Sequence, residues 1–555
     1  MSNNLKPASL QAAEAVLSGL LAGGLRAVVV SPGSRSAPLV YAIEAGRCAN
    51  QLDVVVRLDE RSAGFWALGM AMATPHQPVA VVTTSGSAPA HLHPAVLEAD
   101  RAGLPLILLT ADRPAEKQRV GANQTTEQRN LFGTAVRQSF ALPALGEVEC
   151  CTNLPSELFN LTSGLAQWQQ VGRKAAASAV TERGPVHLNL PFREPLHPAK
   201  AAEQPGLSFQ NNNAGNQTSQ AQWCTGGQYH QVAANCNGVV VAGASAGPEA
   251  RQLAEQAGWP LLAEPGTLSW GGSNAIAAYS DLLTKPQLGG QTDQVIVYGR
   301  PSLSRSMHSF LSVHRSQLVV VHAGPGPWFD VDNVANQVVA AVVAEPPKAA
   351  PAWLEAWQVA GKQAREQAGI VDRFAGSAAA GAVAEACAAD GSALLVAAST
   401  AIRQLDHYGP PSGECTSFTC RGLAGIDGQV AVAGGLNRSL ARPVRVLLGD
   451  LAFLHDAASL MVGCHESVPD VDVIVINNRG GEIFRSLPYA QVTNPAVFQR
   501  YFLTPQTAAL ARIAEAYGAR YSKATDLAEL HAALAKPPHG MRLIEIDQQT
   551  PVMPC

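Results

Sequence analysis

Short runs of aliphatic and β-branched residues recur along the whole chain. Gly or polar residues bound each run, and a stretch with helical spacing follows it. Val28–Val30, Val54–Leu58, Val79–Thr84, Leu106–Thr110 and Val186–Leu190 form a first set. Val239–Val241, Val295–Tyr298 and Leu318–Val321 form a second, and Leu394–Ala397, Val444–Leu448, Val473–Ile476 and Leu543–Ile546 a third. Runs this short, without alternating polar positions, predict strands buried on both faces, as in parallel sheets. Their alternation with helices predicts βαβ units and an α/β fold class. No run of about 18 apolar residues predicts a membrane span, and no short-period repeat is visible.

Two composition shifts break the pattern. Residues around Ala201 to Gln231 are rich in Asn, Gln, Gly and Ser, and Glu345–Pro351 is a Pro-stiffened stretch. Both predict linkers. The expected division is three α/β domains, 1–198, 199–345 and 346–555, each a mostly parallel sheet flanked by helices. A chain of 555 residues is too long for one ordinary core.

Composition narrows the function. With 39 Lys+Arg against 43 Asp+Glu, the formal charge of −4 offers no bulk basic field for nucleic acid or anionic lipid. Anion binding must come from individually placed arginines. The ten cysteines include no C-x-x-C pair, and the stretch from Met1 to Lys6 lacks a charged region leading into an unbroken apolar one. Together these predict reduced thiols and a cytoplasmic protein. Vicinal Cys150 and Cys151 are most simply two buried small hydrophobes.

Two of the predicted strands end in chemistry. Val444–Leu448 runs into Gly449-Asp450, and Val473–Ile476 into Asn477-Asn478-Arg479-Gly480. Ligands of open α/β sheets sit outside the carboxyl ends of the strands. Asp450 and Asn478, 28 positions apart, therefore end side by side. A carboxylate, an amide oxygen and a backbone carbonyl are hard ligands for a Mg²⁺ that keeps bonds to a diphosphate. Gly-Asp, a spacer of just under thirty residues and Asn-Asn resemble the thiamine-diphosphate motif. A second feature is Leu58-Asp59-Glu60-Arg61-Ser62-Ala63-Gly64, at the end of a first-set strand. Alone it reads as acidic charge at a helix N-terminus. Beside a diphosphate site it offers what thiamine chemistry needs: a carboxyl against N1′ of the aminopyrimidine to favour the imino tautomer. Glu60 is the candidate.

Further motifs occur in order: Ser31-Pro32-Gly33-Ser34-Arg35-Ser36, Asp59-Glu60-Arg61, Leu109-Thr110-Ala111-Asp112-Arg113-Pro114, Gly121-Ala122-Asn123-Gln124, Arg421-Gly422, Gly425-Ile426-Asp427-Gly428, Gly449-Asp450-Leu451 and Asn477–Phe484. The series resembles the 2-succinyl-5-enolpyruvyl-6-hydroxy-3-cyclohexene-1-carboxylate synthases, thiamine-diphosphate enzymes of menaquinone and phylloquinone synthesis, over almost the whole chain. The resemblance implies pyrimidine-binding, central and diphosphate-binding domains in that order. It implies a transferase that decarboxylates 2-oxoglutarate and adds the four-carbon carbanion to isochorismate in a conjugate sense. Asp450, Asn478 and the Gly480 carbonyl would hold Mg²⁺, with Mn²⁺ the alternative. Ile426 would wedge under the cofactor, and Ile483, Phe484 and Leu487 would line the reaction pocket. Glu60 and Asp450 fall in different domains, which implies sites shared across a homodimer that can pair into a tetramer.

The implied substrates provide a separate check. Both carry two carboxylates, so the site needs cations with planar, bidentate reach. Arg35, Arg113, Arg305, Arg403 and Arg421 occupy positions where the resemblance implies substrate contacts, Arg305 least securely because some family members carry Lys there. Ser34, Gln124 and Ser399 would add neutral hydrogen bonds. Two patterns point elsewhere and are set aside. Gly243-Ala244-Ser245-Ala246-Gly247 matches a hydrolase elbow, but such a pattern arises easily in a chain with 49 Gly. His91-x-His93 suggests a metal pair without a third ligand, so capping or packing is the better reading.

Overall fold

A computed structural model describes residues 6–146, 161–198, 229–232, 236–322, 328–330, 335–344, 352–371 and 376–548. Cys150, Cys151, the start through Leu5, Glu345–Pro351 and most of the Asn/Gln-rich segment lie outside them.

Every named strand pair is parallel. The first sheet holds β1 (Ala27–Val30), β2 (Asp53–Val56), β3 (Val79–Thr83), β4 (Leu106–Asp112), β5 (Gln138–Ala141) and β6 (Val186–Pro191), in the order β2-β1-β3-β4-β6-β5. A short ribbon pairs β7 (Tyr229–Val232) with β13 (Ala341–Ala344). The second sheet holds β8 (Gly238–Ala242), β9 (Leu261–Ala263), β10 (Gln294–Tyr298), β11 (Leu318–Val321) and β12 (Gln337–Val339), ordered β12-β11-β10-β8-β9. The third holds β14 (Ala393–Val396), β15 (Ser417–Phe418), β16 (Val444–Gly449), β17 (Val471–Asn477), β18 (Arg520–Ala524) and β19 (Met541–Asp547), ordered β15-β14-β16-β17-β19-β18. The first and third sheets thus share one strand order.

Each apolar run read from the sequence falls on a strand, with Thr84 and Ala397 one residue past β3 and β14. The Val54–Leu58 run stops short, because Arg57 and Leu58 turn out of β2. The strands that the sequence reading missed are short, polar or both, such as Gln138–Ala141 and Arg520–Ala524 at sheet edges. Tyr229 to Gln231, expected as linker, begin β7. β3, β4, β6, β8 and β17 are buried throughout, which is why their sequences carry no alternation. No helix among the described residues is long and apolar enough to cross a membrane.

The polypeptide divides into two compact units: residues 1–216 with 430–441 and 458–468, and the remainder. In the first unit the helix Glu60–Ala73 packs on the helix Gln429–Leu440 through glycines. A Cβ on Gly69 would meet the Val432 carbonyl at 2.2 Å, and one on Gly435 the Trp66 carbonyl at 2.0 Å. Buried Arg57 stacks on Trp66 at 4.4 Å and donates to the Ser459 carbonyl at 2.8 Å. In the second unit one apolar core runs through Leu253, Trp259, Val383, Leu394, Leu447 and Ile544, beneath both of its larger sheets.

Candidate active site

In an open parallel sheet a crevice forms where adjacent strands send their connections in opposite directions. In the third sheet that point lies between β14 and β16, and in the first between β1 and β3.

The third-sheet crevice is a cavity of about 130 Å³. Its lining includes Ser399, Thr400 and Gln404 after β14, Gly449 and Asp450 after β16, and Asn478, Gly480, Ile483 and Phe484 after β17, with Ile426. Gly449 is paired with Ile476, so Asp450 and Asn478 leave adjacent strands at one level. Asp450 opens the helix Asp450–Asp456 and is 3% exposed. Burial pushes its carboxyl up to about 6, against the pull of its own helix's first amides and of the Gly480 amide. Asp450 Oδ2 and Asn478 Oδ1 are both buried and both lack a hydrogen-bond partner. Orphaned buried acceptors are rare in folded proteins because each costs the desolvation of a polar group. Gln404 Oε1 is a third in the same lining. The pair from Asp450 and Asn478, past adjacent strands, fits a hard divalent cation. The Gly480 carbonyl accepts the Glu482 amide at 3.0 Å and keeps a second lone pair.

The Asn478 loop is held from behind. Asn477 donates to Glu545 at 2.6 Å and accepts from the Arg479 amide at 3.1 Å. Arg479 takes a left-handed φ of 64°, and its guanidinium reaches Asp547 on β19. Gly480 has φ 153°, and a Cβ there would meet the Leu503 carbonyl at 2.4 Å, so no side chain is tolerated. Over the loop, Phe484, Tyr489 and Phe498 each pack a ring on Phe502, which fixes the start of the segment that carries Phe484 and Leu487. Leu487 is half-buried at the end of that turn, three residues past Phe484 in the cavity lining.

Ser399 sits at φ 76° just before the helix Thr400–Tyr408. Such a non-glycine position costs about 1–3 kcal/mol and is characteristic of functional sites. Arg403, one turn on, donates to the Ser399 carbonyl at 2.5 Å. Burial lowers the affinity of its guanidinium for a proton, while Asp406 and Glu264 act in the opposite sense. Arg421, 9% exposed, donates to Ser302. Arg403 and Arg421 therefore share the field of one buried carboxylate, Glu264. Arg305 is exposed at the start of the helix Arg305–Val313, and neither it, Arg403 nor Arg421 lines the cavity.

The first-sheet crevice has a different character. Arg35, after β1, donates to the Phe192 carbonyl at 3.0 Å and pairs with Glu194 at 3.2 Å. Arg113, after β4, donates to Ser85 Oγ at 2.6 Å and to the Gln124 carbonyl at 2.5 Å. Gln124 returns a bond to the Ser85 carbonyl at 2.9 Å. The two guanidiniums are close enough that Arg35, after burial, is the next cause lowering Arg113. Ser34 is exposed beside Arg35. Beneath them Gln128, fully buried, accepts from the Gly86 amide at 3.0 Å and donates to Asn189 at 3.0 Å; Asn189 donates to Asp112 at 2.9 Å. Glu60 opens the helix after β2, half-buried, with Asp59 as N-cap. Among the described residues its carboxyl has no hydrogen bond or ion pair.

Sequence reasoning missed Thr400, Gln404, Glu264, Asp406 and Arg300. One signal was available: Asp406 follows Ile402 and Leu405 on an apolar helix face, where an acid has to be buried. The motifs set aside behave as packing. Ser245 is exposed with φ 69°, and Gly243 is required because a Cβ would meet Pro301 N at 2.0 Å. His93 packs its ring on Phe132 at 5.6 Å, and no group of three His, Cys, Asp or Glu that could hold a metal occurs among the described residues.

Known proteins resemble this arrangement. Residues 10–132 match the family described as "Thiamine pyrophosphate enzyme, N-terminal TPP binding domain" and residues 400–546 its C-terminal counterpart. A 2-succinyl-5-enolpyruvyl-6-hydroxy-3-cyclohexene-1-carboxylate synthase of Kineococcus radiotolerans is 41% identical over 94% of this chain and 93% of its own length. The synthase of the same name from Renibacterium salmoninarum is 38% identical over 97% and 94%. A benzoylformate decarboxylase from Polynucleobacter necessarius superposes with a TM-score of 0.63 at 17% identity, over 98% of this chain and 99% of that one, which shows a shared fold.

Proposed function

The chain belongs to the 2-succinyl-5-enolpyruvyl-6-hydroxy-3-cyclohexene-1-carboxylate synthase family, and on that premise we propose how its own residues divide the work. The reaction is thiamine-diphosphate-dependent: 2-oxoglutarate is decarboxylated and the four-carbon acyl unit is added to isochorismate. Bound thiamine diphosphate supplies the nucleophilic carbon and the electron sink that decarboxylation requires.

In this reading the three predicted domains, 1–198, 199–345 and 346–555, bind the pyrimidine, connect, and bind the diphosphate. Asp450 Oδ2, Asn478 Oδ1 and the Gly480 carbonyl hold Mg²⁺ or Mn²⁺ against the diphosphate. The unpartnered oxygens of Asp450 and Asn478, past adjacent strands of the third-sheet crevice, are the observation that carries this assignment. Ile426 and Ile483 would support the bound cofactor, and Phe484 and Leu487 would line the reaction pocket. Glu60 would hold a proton on its carboxyl and share it with the cofactor's aminopyrimidine. A carboxyl that no neighbour among the described residues engages is suited to that task. Arg35, Arg113, Arg305, Arg403 and Arg421, with Ser34, Gln124 and Ser399, receive the carboxylates of the two substrates. Each charge-assisted contact contributes roughly 1.5–3 kcal/mol, so two or three select a dicarboxylate over pyruvate by orders of magnitude. Glu60 and Asp450 meet across a homodimer, itself able to pair into a tetramer, in the cytoplasm.

Mass spectrometry of the products formed from 2-oxoglutarate and isochorismate with thiamine diphosphate and Mg²⁺ tests the reading. The adduct, formed with one CO₂ lost, is expected. Equal or faster turnover of pyruvate would contradict it. Mixing Glu60→Gln and Asp450→Ala chains tests the shared site, because verified heterodimers should regain activity that neither parent has.

A further inference from the structure

Glu264 follows β9, in the second sheet rather than at either six-stranded crevice, and is 1% exposed. Its Oε1 accepts the amides of Ser302 at 2.7 Å and Leu303 at 2.9 Å, in the loop after β10. That loop in turn grips Arg421 twice. Ser302 accepts from Arg421 Nη2 through its carbonyl at 3.0 Å and its hydroxyl at 2.8 Å. Arg300 donates to the carbonyls of Arg421 and Gly422, the latter at 2.9 Å. A parallel strut runs beside it. The Gly266 amide donates to Ser417 Oγ at 3.0 Å, and a Cβ on Gly266 would meet Thr419 Cγ2 at 2.4 Å. Both the main chain and the guanidinium of Arg421 therefore hang on one loop, and one buried carboxyl anchors that loop.

A carboxyl is an expensive anchor here. Burial is the largest influence on Glu264 and pushes it up to about 7, while the two amides, Arg421 and Arg300 pull the other way. A neutral acceptor would hold two amides without that desolvation. The acid adds a negative field beside Arg421, Arg300 and Arg403. Such a field turns a guanidinium toward a chosen direction while it stays positively charged for an incoming carboxylate. We infer that Glu264 is a positioning residue for dicarboxylate recognition: through the 300–303 loop it sets the direction in which Arg421 presents its guanidinium. This rests on the reading of Arg421 as a substrate-binding residue.

The test is steady-state kinetics of the full chain with thiamine diphosphate and Mg²⁺, for Glu264→Ala, Glu264→Gln and Ser302→Ala. Glu264→Ala is expected to raise the KM for one of the two dicarboxylates about tenfold with kcat within about threefold, the pattern of lost ground-state binding. Glu264→Gln keeps the acceptor for both amides but not the negative field, so its KM should lie between those of Glu264→Ala and the parent. Ser302→Ala should fall between them. A merely structural role would lower kcat through the folded fraction and leave KM unmoved, which would overturn the inference. So would a Gln variant as impaired as the Ala variant. Should Glu264→Ala fail to fold, the KM of Ser302→Ala decides in the same way. Absence of 2-oxoglutarate turnover by the parent protein would overturn the proposed function and this inference together. A competent parent with unmoved KM values in the variants would overturn this inference alone.

Discussion

The first and third sheets share one strand order, yet their crevices are chemically opposite. The third-sheet crevice gathers oxygen: a buried carboxylate, an unpartnered amide oxygen and a glycine carbonyl, walled by Ile426, Ile483 and Phe484. The first-sheet crevice gathers nitrogen: Arg35 and Arg113, held mainly by carbonyls and a hydroxyl. The same βαβ geometry delivers side chains to the same place in both. What is delivered depends on the few residues just past β1, β3 and β4 or past β14, β16 and β17. One strand order can thus present buried oxygen ligands at one crevice and guanidiniums at the other, because fold positions a site without choosing its chemistry.

The sharpest way to break that comparison is to remove its oxygen side. Asp450→Ala should abolish activity, by about a thousandfold or more, and should abolish Mg²⁺-dependent thiamine diphosphate binding measured by fluorescence quenching or calorimetry. Cofactor binding that survives would mean the crevice is not the cation site.

On the nitrogen side, Arg113→Ala should leave cofactor binding within a few-fold of the parent and raise the KM for a dicarboxylate roughly 10- to 100-fold. An equal loss of cofactor affinity would erase the distinction between the crevices.

A smaller effect concerns the buried acids beneath the third sheet. Asp406 is pushed up to about 8, chiefly by burial, and accepts from Tyr279 at 2.8 Å. An unfolded Asp loses its proton near pH 4, so between about pH 4 and 8 the folded state holds a proton that the unfolded state does not. Stability therefore falls as pH rises through that window. Asp406→Asn should flatten the decline, with a melting temperature near that of the parent at pH 5 and above it at pH 8. A parallel pH dependence in both proteins would assign the slope to other groups. Smallest of all, Ser245→Ala should change turnover by less than about twofold, since an exposed serine away from both crevices has no expected role.

The sheets were legible in the sequence because strands buried on both faces leave unbroken apolar runs, as in Val79–Thr83 and Val473–Ile476. Edge strands such as Arg520–Ala524 were not, because half-exposed polar strands resemble loops. The oxygen crevice was legible because Asp450 and Asn478 each stand at the end of such a run, so strand adjacency alone predicts their meeting. The anchoring groups were harder to see. Gln128 and Glu264 act through main-chain amides, and Asn189 through the side chains of Gln128 and Asp112, all in segments far away in sequence, and nothing in their immediate neighbours announces that. The return of residues 430–441 and 458–468 to the first unit was equally hidden. Its cue, Gly434-Gly435 against Trp66, has meaning only once the two helices are seen to touch.

The pairing of an acid from one sheet with a cofactor held by the other is tested most directly by hydrogen–deuterium exchange at the thiazolium C2 of bound thiamine diphosphate, in Glu60→Gln and in the parent. At equal cofactor occupancy, the variant should exchange at least about a hundredfold more slowly. Exchange at the parental rate with Glu60 replaced would contradict the assignment.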